Sequence, residues 1–316
     1  MPINRMLWRG RKATGPRAES RAGTGAEITP ETGGQPEPAR DEDDKTPMTA
    51  SIAYKGKTIY DLPVSRSPDI PSVFFMSVHK SGSTLMNNMI RAACEMLEYE
   101  FVDIQSHFFN TGISDADIPA DTSAIFKPQG YVYSGFRYFP NQYEIPCLND
   151  CPLIVLVRDP RDAVVSQYFS LSQSHPMPGK DADDKLYRHM EEQRKKTLGS
   201  DINEFALREV GSFVKKLETY SELLKTHPKA RLFQYEEIIY MKKKWIMSML
   251  NFLEWQMKPG QPMSLANRFN VVPKQEDASK HIRQVHPQNY MTKLSPETIA
   301  EINRKYSATL LRYNYI

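Results

Sequence analysis

A short run of small polar residues around a lysine is the first feature of the sequence that could do chemistry. Residues 80–84 (Lys-Ser-Gly-Ser-Thr) follow the apolar segment 71–78 and precede a segment, 85–98, with helical apolar spacing. A strand, a loop and a helix in this order present backbone N–H groups at a helix N-terminus, where anions bind. Gly82 lets the backbone approach a ligand closely, and Lys80 supplies a positive charge. The loop predicts a site for a phosphate ester; the alternative is an ordinary polar turn capped by Ser or Thr.

The loop differs from the phosphate loop of nucleoside triphosphatases. That loop needs a glycine four residues before Gly-Lys-Ser/Thr, whereas here Lys80 precedes Gly82, and Phe74 and Phe75 stand where flexible glycines are expected. The pattern therefore disfavours a Walker-type ATPase.

A second group of candidates begins at Arg158. This arginine follows the uniformly apolar segment 153–157, at the carboxyl end of a predicted strand, where ligands of open α/β proteins bind. Its guanidinium can form a bidentate pair with a phosphate. Pro160 favours a helix that starts near residue 161, which puts Ser166 on the second turn and within reach of the same anion. The alternatives are a structural salt bridge between Arg158 and Asp162 and a surface role for Ser166.

A third segment lies near the C-terminus. Residues 281–290 are polar and basic, and Ser295-Pro296-Glu297 marks the start of a helix, with Ser295 as N-cap and Pro296 at the first helical position. Residues 281–290 are predicted either to fold over a ligand or to form a plain polar loop.

Short apolar runs alternate with longer amphipathic segments, which is typical of an α/β protein. We expect three α/β/α layers around a central, mainly parallel sheet, with the phosphate-binding strand, loop and helix at its centre. Predicted strands cover 71–78, 99–104, 130–136, 153–157 and 230–235, and predicted helices cover 85–98, 161–171, 201–226 and 242–252.

Composition narrows the classes of function. Lys and Arg total 41 against 38 Asp and Glu, a net charge of +3, so a protein that coats nucleic acid is not expected. Three cysteines without zinc-like spacing favour a reducing compartment and no metal site. Apolar runs fall well short of the roughly 20 residues that span a bilayer, so we expect no transmembrane segment and a cytoplasmic location. Residues 1–50 are predicted to be a disordered extension, and residues 51–316 a single domain.

Taken together, these segments resemble sulfotransferases that use 3′-phosphoadenosine 5′-phosphosulfate (PAPS) and release 3′-phosphoadenosine 5′-phosphate (PAP). Residues 80–84 resemble the family's 5′-phosphosulfate loop, and residues 158–166 resemble its 3′-phosphate motif. Residues 235–237 look like its Tyr-Glu-Asp segment, and residues 281–290 with the helix after them look like its cofactor-covering region. The resemblance covers roughly residues 72–316.

The resemblance implies a role for each matching residue. Lys80 is expected at the oxygen that bridges phosphate and sulfate, and Tyr235 beside the adenine. No metal is required in this family. The residues expected to bind the nucleotide are Lys80, Ser81, Gly82, Ser83 and Thr84 of the loop, Arg158, Ser166 and Arg283 around the 3′-phosphate, and Tyr235.

Two positions depart from the family pattern. Leu85 stands where many members have a tryptophan after the loop, so packing of the adenine must differ. Arg137 replaces the family's usual catalytic histidine, and arginine is not a base at ordinary pH. Arg137 is expected either to bind an acidic acceptor or to pair with Glu144.

Three residues remain as candidates for the general base: His107 and Asp103, which follow the second strand, and Glu144, beyond Arg137. We favour His107, because imidazole titrates near neutrality.

The expected function is transfer of a sulfuryl group from PAPS to a hydroxyl, or as a second choice an amine, of a small metabolite, lipid or saccharide. A homodimer is one possible oligomeric state, which the sequence does not decide. The alternatives are a nucleotide-dependent kinase or other phosphotransferase, and a catalytically inactive nucleotide-binding homologue.

Overall fold

The computed structural model describes residues 50–174, 184–273, 275–277 and 283–316. Residues 1–49 of the predicted disordered extension and residues 281–282 of the C-terminal segment lie outside these ranges, and the division of the chain at residue 50 stays a prediction. The strands are β1 (Ser51–Tyr54), β2 (Lys57–Asp61), β3 (Val73–Ser77), β4 (Glu100–Val102), β5 (Tyr131–Phe136), β6 (Leu153–Val157) and β7 (Ala230–Gln234).

The helices before the last strand are α1 (Ser83–Leu97), α2 (Ile104–Asn110), α3 (Pro160–Phe169), α4 (Asp184–Leu198) and α5 (Ile202–Thr226). After β7 come α6 (Tyr235–Ile238), α7 (Lys242–Leu253), α8 (Gln261–Arg268), α9 (Tyr290–Lys293), α10 (Pro296–Lys305) and α11 (Ser307–Arg312). Short 3-10 helices cover Asp115–Asp117, Ala120–Ile125 and Leu148–Asp150, and a π-helical turn, Ser170–Ser174, follows α3.

The central sheet has five strands in the order β4-β5-β3-β6-β7, and every pairing within it is parallel. Each parallel crossover places a helix on a face of the sheet. The predicted α/β class and the predicted parallel sheet are confirmed. The predicted strands are correct to within a few residues at each end, and 153–157 matches β6 in full.

Both faces of the sheet are covered, and the strand residues show how. All five residues of β3 are buried, and successive side chains of a strand point to opposite faces. Phe74 and Met76 therefore join one apolar cluster, with α5, while Val73 and Phe75 join another, with α1 and α7. This is the predicted three-layer arrangement.

The sequence analysis did not predict the antiparallel hairpin of β1 and β2. Its turn residues, Lys55 and Gly56, have φ angles of 50° and 76°, as a two-residue type I′ turn requires. Between β4 and β5, residues 104–125 form α2 and two 3-10 helices. Within the part of the chain that the structure describes, no helix is both long enough and apolar enough to cross a membrane.

Candidate active site

The loop at residues 80–84 connects the central strand β3 to α1. Lys80 and Gly82 both have positive φ angles, 64° and 87°, the second of which suits only glycine well. Gly82 is the N-cap of α1, and no side chain caps the helix. Its carbonyl accepts the first helical hydrogen bond, from the N–H of Met86 at 3.0 Å. The N–H groups of the first turn, starting at Ser83, therefore point out of the helix end, as an anion site requires.

Ser81 has a different position from its neighbours in the loop. It is fully buried, and its hydroxyl donates to the carbonyl oxygens of Val78 and Leu156. Its N–H donates to the same Val78 carbonyl at 3.2 Å. Ser81 thus holds the loop against the ends of β3 and β6, whereas Ser83 and Thr84 line an open cavity.

Lys80 is half-buried beneath a group of arginines. Burial, followed by the charges of Arg158, Arg137 and Arg283 in that order, lowers the pKa of Lys80 to about 8. Four cations are therefore close enough to repel one another. Because so many positive charges lie together, the group suits a ligand with several negative charges.

Arg158 joins the loop to the elements after it. Its Nη1 donates to the Lys80 carbonyl at 3.2 Å, and its Nη2 pairs with Asp162 at 3.3 Å. The guanidinium lies 4.3 Å from the centre of the Tyr235 ring, and its buried Nε has no partner among the residues described. The salt bridge considered as the alternative for Arg158 is therefore present, together with contacts that place the residue at the loop.

Asp162 ties the C-terminal segment to this point. The carboxylate is fully buried and accepts hydrogen bonds from the N–H groups of Gln288 at 2.7 Å and Tyr290 at 3.0 Å. As predicted, α3 begins at Pro160, and Ser166 is half-buried on it.

Tyr235 closes the other side of the loop. Its hydroxyl donates to the Val285 carbonyl at 2.8 Å, and a Cβ added to Gly82 would lie 2.9 Å from its ring. Tyr235, Ile239 and Val285 form a small apolar cluster against which Leu85 packs. This cluster offers an apolar surface beside the loop.

Arg283 is buried in the C-terminal segment. It pairs with Glu276, its Nη2 donates to Asn289 Oδ1 at 2.8 Å, and its guanidinium lies 4.2 Å from the ring centre of Phe169. The contacts of Asp162 with Gln288 and Tyr290, and of Tyr235 with Val285, bring residues 285–290 close to the loop.

A polar cavity of about 240 Å³ lies on the other side of the loop, at the ends of β4 and β5. Its residues outside the loop are Asn87, Asn88, Arg91, Asp103, Ser106, Gly135 and Arg137. The sequence analysis did not identify Asn87, Asn88, Arg91 or Ser106. A signal existed for three of them, because residues 84, 87, 88 and 91 are spaced to share one face of a helix that starts at the loop.

Of the three candidates for the base, only Asp103 lines this cavity. Its Oδ1 accepts from the N–H of Ser106 at 3.0 Å, and its Oδ2 accepts from Nδ2 of Asn87 at 2.6 Å. Gly135 makes room for the carboxylate, because a Cβ there would lie 1.9 Å from Asp103 Oδ1.

The preference for His107 finds no support in this geometry. Its Nε2 contacts the Ile59 carbonyl at 2.8 Å, and its ring packs edge-on against Tyr60 of β2. Glu144 is exposed, does not line the cavity and makes no ion pair with Arg137 within the described ranges. His107 is turned away from the loop because its ring contacts Ile59 and Tyr60 of β2, whereas Glu144 lies in the segment after β5, where its N–H donates to Ser123 Oγ at 3.2 Å.

His79, next to Lys80, is also turned away. Its Nε2 donates to Gln167 Oε1 at 2.5 Å, and its Nδ1 accepts from Lys216 at 2.9 Å. Burial, and then the charge of Lys216, lowers the pKa of His79 to about 3. A neutral imidazole with both nitrogens bound helps to pack β3 against α3 and α5.

Comparison with protein families decides the assignment. The family model described as a sulfotransferase domain matches residues 143–302, which is just over half of the 316 residues. The chain belongs to the sulfotransferase domain family. The matched part of this sulfotransferase contains Arg158, Ser166, Tyr235 and Arg283, and Lys80 precedes it.

Solved structures include several that resemble this sulfotransferase. Mouse sulfotransferase SULT7A1 complexed with PAP is 12% identical, with 76% of this chain and 84% of that chain covered and a TM-score of 0.49. Retinol dehydratase in a complex with retinol and PAP is 16% identical, with 80% and 83% covered and a TM-score of 0.45. The sulfotransferase domain of the Synechococcus PCC 7002 olefin synthase is 11% identical, with 78% and 98% covered and a TM-score of 0.31. A comparison with curated protein sequences found no match.

Proposed function

We propose that this sulfotransferase moves the sulfuryl group of PAPS to a hydroxyl group of a small-molecule acceptor by in-line displacement. The observation that carries the proposal is the placement of Lys80 among Arg137, Arg158 and Arg283 at the uncapped start of α1. A nucleotide with phosphate groups at both its 3′ and 5′ positions would bring negative charge to Lys80, Arg158 and Arg283, of which Arg158 already pairs with Asp162 and Arg283 with Glu276.

Each part of the site has a role in holding the nucleotide. The first-turn N–H groups at Ser83 and Thr84 are placed for the 5′-phosphate. Arg158, Ser166 and Arg283 are proposed for the 3′-phosphate, and the apolar cluster around Tyr235 for the adenine. Ser81 serves the loop rather than the ligand, because its N–H and hydroxyl are already bound to carbonyl oxygens.

PAPS supplies an activated sulfuryl group whose transfer leaves negative charge on the 5′-phosphate. Charge that grows on a leaving oxygen is stabilised by cations and N–H donors that are already in place. Lys80 is proposed to act on this oxygen. Asp103 is proposed as the general base that takes the proton of the acceptor hydroxyl, since it is the candidate that lines the cavity beside the loop.

Calorimetric titration in EDTA tests the nucleotide assignment. We expect PAP to bind tightly and ADP and ATP to bind at least a hundredfold more weakly, because neither has a 3′-phosphate. A preference for ATP that depends on Mg²⁺ would favour the kinase alternative. Tight binding of PAP without transfer to any acceptor would favour the inactive homologue.

A further inference from the structure

We infer that the acceptor of this enzyme is an acidic hydroxyl compound, with a carboxylate or another anionic group near the hydroxyl that receives the sulfuryl group. The inference rests on the proposed function and names its substrate class. The observations that carry it are the composition, charge and position of the cavity beside the loop.

Polar residues line the cavity. Apart from Gly135, every residue that lines it has a polar or charged side chain: Ser83, Thr84, Asn87, Asn88, Arg91, Asp103, Ser106 and Arg137. An apolar alcohol in this space would remove water from these groups and return no hydrogen bonds, which is unfavourable. The lining therefore selects for an acceptor that is itself rich in polar groups.

The charge of the lining is positive. The lining contains two positively charged residues, Arg91 and Arg137, and one negatively charged residue, Asp103. Arg137 is exposed, and its guanidinium makes no ion pair within the ranges that the structure describes. Arg91 makes a long ion pair with Asp103, 3.9 Å, with its side chain 50% exposed, and its guanidinium lies 4.2 Å from the centre of the Phe101 ring. An anionic group on the acceptor would supply the partner that Arg137 lacks.

Asn87 holds the carboxylate of the cavity in place, because its amide donates to Asp103. A carboxylate cannot donate, so the amide nitrogen of Asn87 must face Asp103, and the amide oxygen must face the other way. This Oδ1 atom is buried and has no partner among the described residues. The Asp103 carboxylate, which lines the cavity, is therefore the acceptor that this side of the loop offers to the hydroxyl.

The topology assigns the cavity to the second substrate. The central strand β3 lies between β5 and β6. Arg158 and Tyr235 follow β6 and β7, on one side of the loop, whereas Asp103 and Arg137 follow β4 and β5, on the other side. A nucleotide on the first side leaves the cavity open, with Lys80 between the two.

The test measures acceptor binding to the full chain saturated with PAP. The probes are pairs of an acid and its methyl ester: 4-hydroxybenzoate, 3-hydroxyphenylacetate and 4-nitrophenyl β-D-glucuronide. We expect at least one acid to bind tenfold or more tightly than its ester. If no acid of the panel binds more tightly than its ester, the inference is wrong.

Variants test whether Arg137 causes the preference for the acid over its ester. Arg137→Gln should raise the Kd of the preferred acid at least fivefold and leave its ester unchanged, whereas Arg137→Lys, which keeps the charge, should restore most of the affinity. The matched control is Arg304→Gln, at an exposed arginine of α10, which should change neither Kd. Equal weakening of acid and ester by Arg137→Gln would contradict the inference.

The same titrations separate this inference from the proposed function. Failure of PAP to bind the wild-type chain would remove the proposed function. Normal PAP binding together with equal affinities for acids and esters would leave the sulfotransferase site in place and overturn only the acidic acceptor. Arg91→Gln is the second variant, should Arg137→Gln fail to fold.

Discussion

Lys80 shows how the surroundings of one residue set its chemistry. Burial is the main reason that its pKa falls to about 8, and the three arginines around it add to this effect. A lysine in solvent keeps its charge up to about pH 10.4. In the free enzyme Lys80 is therefore charged at neutral pH and loses its charge at higher pH. A bound anion would raise its pKa again, because it favours the protonated amine.

A pH profile tests this property. The folded pKa of Lys80 lies below its ordinary value, so the free enzyme loses this positive charge as the pH rises through about 8. We expect kcat/KM for PAPS, which reports the free enzyme, to fall above that pH. Lys80→Arg should shift the fall to higher pH, because a guanidinium stays charged.

Lys216 is the control for the pH profile, since burial lowers its pKa to about 8 as well. Lys216→Gln should leave the fall in place if Lys80 causes it. If the fall in kcat/KM stays at the same pH in Lys80→Arg and disappears in Lys216→Gln, Lys216 causes it.

Lys80 and Arg158 should differ in what their loss affects. Lys80→Ala removes charge at the leaving oxygen, so kcat should fall by roughly 10²- to 10³-fold, as for loss of one transition-state donor, with less than a tenfold change in the Kd of PAP. Arg158→Ala should mainly weaken PAP binding. Turnover and calorimetry on both variants, beside Arg304→Ala, decide whether the two roles are separate; equal losses in binding alone would show that they are not.

The base assignment is tested by Asp103→Asn and His107→Ala. Asp103→Asn should lower kcat by about 10²- to 10⁴-fold, the usual contribution of a general base, with PAP affinity unchanged. His107→Ala should keep near wild-type turnover, because His107 faces the hairpin. A large loss in His107→Ala and none in Asp103→Asn would return the assignment to the histidine.

Among single residues, those on the nucleotide side of the loop could be predicted from the sequence better than those on the acceptor side. Lys80 and Arg158 each follow a buried strand in the sequence. Because neighbouring parallel strands end at the same edge of the sheet, the two residues could be predicted to lie close together. Asn87 and Arg91 become site residues only because α2 and β5 approach α1. Such contacts between distant segments leave little trace in a single sequence.

At the scale of the elements, the loop depends on the close approach of Gly82 to Tyr235. Strand and helix types around it were predictable, since buried parallel strands are continuous apolar runs. The β1–β2 hairpin was missed because its strands are short, although the Lys-Gly pair at its turn was a usable signal.

A comparison of Gly82→Ala with Gly260→Ala separates the effect of the contact with Tyr235 from the cost of a positive φ angle. Both glycines have nearly the same φ, 87° and 86°, but a Cβ at residue 260 meets no atom within 4 Å, whereas at residue 82 it meets the Tyr235 ring. Each variant should lose about 1–2 kcal/mol of unfolding free energy from the left-handed backbone.

Only Gly82→Ala should also weaken PAP binding, because the Tyr235 ring must shift. Urea unfolding and calorimetry measure the two effects. Equal PAP affinity in the two variants would show that the approach is not needed for the nucleotide site.

At the scale of the molecule, Asp162 connects the sheet edge to residues 283–290. It holds Arg158 and two backbone N–H groups at one buried carboxylate. The sequence showed Asp162 only as a possible partner of Arg158. Its bonds to Gln288 and Tyr290 span more than 120 residues and could not be read from local spacing.

Asp162→Ala should destabilise the whole chain. It leaves a buried arginine and two N–H groups without partners, and breaking a buried ion pair in this way costs about 3–5 kcal/mol. Urea unfolding should show this loss, whereas Asp69→Ala, at an exposed aspartate, should change the free energy of unfolding by less than about 0.5 kcal/mol. A small effect of Asp162→Ala would mean that residues 283–290 are held mainly by other contacts.

The position of the loop on the central strand, between β5 and β6, has a consequence for the order of events in turnover. With one substrate on each side of Lys80, both can occupy the enzyme at once, and the group can pass directly between them without first attaching to the protein. Initial rates at several fixed acceptor concentrations should then give intersecting double-reciprocal lines. Parallel lines, the sign of a ping-pong route through a modified enzyme, are not expected from this arrangement.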